Sequence, residues 1–132
     1  DWIRRKDGDI VHPLQNQAHE VAMNMWDDCG GKEGVHDDTD TDLITMLSQA
    51  QILGAKLAGA LNGLAYSHAP EYGFVVASLK RALPFLNDSI AATQKVQSKK
   101  LVEEARLNRF RKELFAVREG VLALMEKFRT RM

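Results

Sequence analysis

From Leu107 to Phe128 the residues Leu107, Phe110, Leu114, Val117, Val121, Leu124 and Phe128 alternate three and four positions apart without a miss. An α-helix puts such a series on one face, because its side chains repeat every 3.6 residues. A seven-residue apolar stripe is poorly accommodated in water, so this segment must pack against other helices. Phe115, Leu122 and Met125 widen the stripe beyond a two-stranded seam, which points to a bundle core.

The same periodicity recurs upstream. Pro13 suits the first position of a helix, where its missing N–H costs nothing. Leu14, Ala18, Val21, Met25 and Cys29 then share a face until Gly30-Gly31 stops the helix. Lys32–Asp40 reads as a polar loop, and Thr39, Asp40, Thr41 and Asp42 supply cap and first-turn residues. The helix they introduce carries Leu43, Met46, Ala50, Leu53, Leu57, Ala60 and Leu64 on one stripe. A second stripe, Ile44, Leu47, Gly54, Ala58, Leu61 and Ala65, widens it. Lys56 is its one Lys, Arg, Asp or Glu between Leu43 and Ala65, so the pattern predicts the most buried helix of the domain. Gly54, Ala58, Gly59 and Gly63 would let another helix approach closely.

After a turn over His68–Gly73, a third helix places Val76, Leu79, Leu83, Leu86 and Ile90 on one face. Pro84 within it predicts a kink or a break, after which Asn87-Asp88-Ser89 could recap the chain. The seam of the last helix does not extend backward, because Lys100 and Glu103 would fall in it. A turn near 97–100 follows; the competing arrangement is one helix unbroken from about Ser89 to the C-terminus. Residues 1–12 read as an extended arm or hairpin turning at Lys6-Asp7-Gly8-Asp9. The expected fold is all-α: one domain over 1–132, an antiparallel four-helix bundle with a kinked third helix and a short N-terminal arm.

The formal charge is zero, yet it is unevenly distributed. Residues 1–77 hold 5 Lys/Arg against 12 Asp/Glu, and residues 78–132 hold 13 against 6. Acidic residues concentrate in Asp27–Asp42 and basic ones in Lys95–Lys112. In an antiparallel bundle the first and third links share an end, so these regions are expected to be neighbours.

Chemistry-bearing motifs are sparse. Asp38, Asp40 and Asp42 have the spacing that begins a calcium loop, but Leu43 and Gln49 stand where Gly and a bidentate Glu are needed. His12 and His19 lie about 10 Å apart along a helix, too far to share an ion. The chain has no Glu-x-x-His pair for a di-iron bundle and no Gly-x-x-x-x-Gly-Lys-Ser/Thr phosphate loop. Cys29 is the lone cysteine, so an intrachain disulfide is excluded. No cofactor or metal is expected.

The basic strip Lys95, Lys99, Lys100, Arg106, Arg109, Arg111 and Lys112 is the candidate contact surface for a partner or for nucleic-acid phosphates. The leading expectation is a non-enzymatic, cytoplasmic helical module that acts through protein contacts, as a homodimer or a small subunit of an assembly, with no membrane association. The alternative is a nucleic-acid-associated protein using the 95–112 strip. A third reading is a metal-dependent enzyme built on His12, His19, His36 or His68.

Overall fold

The computed structural model describes residues 3–4, 10–36, 38–65 and 71–131. Within them, strands β1 (Ile3–Arg4) and β2 (Ile10–Val11) pair antiparallel, with Ile3 opposite Val11. The expected arm is therefore a hairpin, and its turn at Lys6–Asp9 lies outside the described residues. Five helices follow: α1 (Pro13–Asp28), the single turn α2 (Gly31–Gly34), α3 (Thr41–Leu61), α4 (Tyr72–Ser98) and α5 (Glu104–Arg129). A 3-10 turn over Asn62–Ala65 extends α3. The protein is all-helical apart from the small hairpin.

Helix starts follow the cap chemistry. His12 caps α1, its Nδ1 accepting from the Leu14 N–H at 3.0 Å, with Pro13 in the first position. Asp40 caps α3 by accepting from the Asp42 and Leu43 N–H groups. That is the role of one carboxylate in the acidic cluster. The expected polar loop after Gly30-Gly31 begins instead with the turn α2, entered through left-handed backbone at Gly30 and Gly31.

The break between α4 and α5 is built from backbone. Leu101 N–H donates to Val96 O at 3.3 Å and Lys100 N–H to Gln97 O at 3.1 Å. These are the two bonds of a Schellman motif, and Lys100 takes its left-handed position with φ 56°. The chain therefore turns after Ser98, and the unbroken-helix arrangement is excluded.

α1 packs on α3 and α5, and α4 packs on the same two helices. Contacts between neighbours run in opposite directions: Met46 and Gln49 of α3 meet Ser89 and Asp88 of α4, while Asp40 meets Lys99. This ring of pairings fits the expected bundle. Every member of the Leu107–Phe128 stripe is buried, as is Met125. Phe115 departs from expectation and stands exposed, because its position turns outward from that stripe.

Two further expectations are corrected. Pro84 does not end α4, which runs continuously through it. Proline removes the N–H that would bond the Lys80 carbonyl and its ring crowds that carbonyl, but both residues lie on the exposed side, where water can replace the bond. Ser89 consequently caps nothing; it is fully buried, and its hydroxyl donates to Met46 O at 2.8 Å. Nor does α3 stand out as the most buried helix, because it keeps an open face. Gln51, Ile52, Ala55, Lys56 and Gly59 are exposed, and a Cβ at Gly54 or Gly59 would meet nothing within 4 Å. Small, uncharged residues gave that face a core-like reading without burying it. The close helix approach occurs at Gly120 of α5, where a Cβ would lie 2.7 Å from Leu14 Cδ1. Among the described residues no helix is long and apolar enough to cross a membrane.

Candidate interaction surface

The basic strip is largely turned onto the chain itself. Lys99 Nζ lies 2.8 Å from Asp40 and 2.7 Å from Asp42, joining the end of α4 to the start of α3. The hydrogen bond from Lys99 holds the Asp40 carboxyl below the usual carboxylate range. The same bonds, to Asp40 and Asp42, raise the Lys99 ammonium above its usual value. Arg109 pairs with the Asp28 carboxylate, and Arg106 Nη1 donates to Asp28 O at 3.1 Å. Two guanidinium groups thus sit at the negative end of α1. Arg111 bridges to Thr93 Oγ1 at 3.1 Å and Gln97 Oε1 at 2.9 Å. Lys95, Lys100 and Lys112 are exposed. The structure therefore brings the acidic first link and the basic third link together, as the charge pattern predicts.

Among the described residues a different surface lies open between α3 and α4. A groove of about 650 Å³ is floored by Ala55, Gly59, Ala60 and Pro84, with Ser78 at its side. Lys56 on one bank stacks over the Phe85 ring, 5.7 Å from its centroid, and Arg81 stands on the opposite bank. Among the described residues neither cation has a carboxylate at ion-pair distance. Helical spacing carries the same two faces further: Ile52 lies one turn before Lys56, and Phe74 one turn before Ser78. Phe74 is 62% exposed and Ile52 38%. The nearest carboxylate along this face of α4, Asp88, lies one turn past Phe85 and accepts from Gln49 at 3.1 Å.

This surface was not among the sequence-derived candidates. Its signals were faint: Lys56 as the one Lys, Arg, Asp or Glu between Leu43 and Ala65, and Phe74 lying off the expected stripe. Two further interhelical grooves are smaller, at about 440 and 350 Å³. The one between α1 and α5 mixes Glu20 and Glu113 with Arg109 and Lys112. The one between α1 and α3 is lined by His19, Gln51 and the buried Gln15, whose Oε1 has no hydrogen-bond partner among the described residues.

Catalytic and metal-binding readings gain no geometry. His12 caps α1, His19 is exposed two turns along it, and His36 lies in the loop before α3; His68 lies outside the described residues. No three His, Cys, Asp or Glu side chains among the described residues converge as metal ligands. Cys29 is half-buried at the end of α1. Burial, and then the Asp28 charge, push its thiol up, while Arg106 opposes them. A raised thiol is a poor nucleophile at neutral pH.

No family model, curated protein or solved structure matches this chain.

Proposed function

We propose that the four long helices form an antiparallel four-helix bundle that works as a non-enzymatic interaction module, or as a small subunit of a protein assembly. One observation carries this reading: the α3–α4 groove has a largely apolar lining, and the two helix faces that form it carry the exposed side chains Ile52 and Phe74 beyond its ends. Single exposed apolar residues are ordinary, but grouped ones around a groove are typical of binding surfaces. The test is affinity purification of the full chain from its native source, beside an Ile52→Asp, Phe74→Asp double variant, with mass spectrometry and light scattering. A protein or second copy held by the wild type and lost by the variant is the expected result. A chain that is monomeric throughout and retains no protein would remove the reading.

The nucleic-acid alternative is weaker on geometry. Lys99, Arg106, Arg109 and Arg111 are committed to partners within the chain, which leaves Lys95, Lys100 and Lys112 to neutralise phosphates. A salt-sensitive gel shift abolished by charge reversal at those three lysines would restore it.

A further inference from the structure

We infer that the α3–α4 groove receives a short acidic amphipathic helix from a partner protein, an inference that rests on the interaction-module reading and gives its partner a chemistry. Three features of the groove define that occupant.

The first is shape. On α4 the lining runs from Ser78 through Arg81 to Phe85, about 10 Å at 1.5 Å per residue or two helical turns, and helical spacing carries the same face back to Phe74. The groove is therefore an elongated trough between two antiparallel helices, and a third helix fits that geometry. The second is depth. Ala55 and Gly59 hold the α3 bank low, and even a Cβ at Gly59 would meet nothing within 4 Å. Small residues at a crossing point let a partner helix come within the usual interaxial distance of about 8–10 Å.

The third feature is charge. Lys56 and Arg81 face the groove from opposite banks, and among the described residues no carboxylate lines it. Lys56 is held in place over Phe85 rather than ranging freely. A helix lying between the banks would set its apolar stripe on Ala55, Gly59 and Pro84. Its flanking positions would then meet a cation on each side. Asp or Glu at those positions gains favourable pairs and leaves no charge unmatched, whereas Lys or Arg would be repelled. Phe74 and Ile52 extend the apolar contact toward the two ends of the trough.

The test uses the full chain and two synthetic 14-residue helical peptides, each labelled with a fluorophore. Both carry leucine at helical spacing; one has glutamate and the other lysine at the flanking positions. Fluorescence anisotropy should show the glutamate peptide binding and the lysine peptide failing to bind. Raising salt from about 50 mM to about 300 mM should weaken the complex, because the pairs are partly exposed. Lys56→Glu with Arg81→Glu should weaken it about tenfold or more, and Ala55→Trp should block the trough with both cations intact. All these positions are exposed, and circular dichroism verifies that the variants keep their helices.

Equal binding of the two peptides, or binding unchanged by both the charge reversal and Ala55→Trp, would overturn the inference. So would charge-dependent capture of the protein by anionic phospholipid vesicles with no binding of the glutamate peptide. If the glutamate peptide fails while affinity purification retains a partner through another face, the inference falls and the interaction reading stands. If neither experiment yields a partner, both fall.

Discussion

The hydroxyl of Ser89, fully buried in α4, donates a 2.8 Å hydrogen bond to the Met46 carbonyl of α3. A polar residue thus occupies a seam position, flanked by Leu86 one turn earlier and Thr93 one turn later. Ser89→Ala removes this interhelical bond and is expected to cost about 1 kcal/mol. Ser89→Leu, which would perfect the apolar pattern, should cost more, about 1–3 kcal/mol, by overfilling a site shaped for a hydroxymethyl group. Urea unfolding of the two variants checks the order; a more stable Ser89→Leu would show that the pocket has spare room.

Lys100 offers the opposite opportunity. Its φ of 56° places a side-chain-bearing residue where glycine is the usual occupant. Lys100→Gly relieves that strain and should stabilise the protein by about 0.5–1 kcal/mol, part of the gain being lost to the freer unfolded chain. Thermal unfolding would detect this, and a lower midpoint would mean that the lysine side chain contributes more than its backbone costs.

Two glycines should answer substitution in opposite senses. Gly59→Ala adds a methyl group to open space and should raise stability by about 0.5–1 kcal/mol through helix propensity. Gly120→Val drives a branched side chain into Leu14 and should lower it by about 1–3 kcal/mol. Leu14→Ala should then cost less in the Gly120→Val background than in the wild type, because it also relieves the clash. Additive behaviour in the double-mutant cycle would dissociate the two residues.

His12 makes the start of α1 sensitive to acid. Burial, and then the Lys127 charge, lower its imidazole below the usual value. A depressed pKa means that its contribution is complete above the unfolded value of about 6.5 and is lost as pH falls through the lower folded value. Protonation of Nδ1 also removes the acceptor that caps the Leu14 N–H. His12→Asn should keep a cap and flatten stability between about pH 7 and pH 5. A pH profile identical to that of the wild type would exclude this role.

How far the sequence foretold the fold varied from helix to helix for physical reasons. In α5 every seam residue is large and apolar, so the pattern could be read directly. In α4 the buried seam is Val75, Leu79, Ala82, Leu86, Ser89, Thr93 and Val96. Its period is as regular, but Ser89 and Thr93 look like surface residues until their tertiary bonds are known. Leu83 and Ile90, placed on the stripe by hydropathy, are only half-buried. On α3 the error ran the other way: the expected stripes are largely buried, but the near absence of charge made the whole helix look buried while the face of Ala55 and Gly59 lies open. The basic residues at 95–112 were visible as a cluster, and the neighbouring acidic link was inferable from topology. Which of them would be consumed by pairing required the distances. The α3–α4 groove joins residues from two helices, and no local pattern announces such a pairing.

The joints between Lys99 and Asp40, and between Arg109 and Asp28, all lie at one end of the molecule. At the other end Tyr72 stacks on Phe128 at 5.1 Å, and Arg131 lies over the Tyr72 ring. Salt screens the exposed ion pairs of the first end and scarcely touches the aromatic packing of the second. The protein therefore has a direction of opening set by its solvent: concentrated salt should loosen the α4–α5 turn first, while the Tyr72–Phe128 end stays closed.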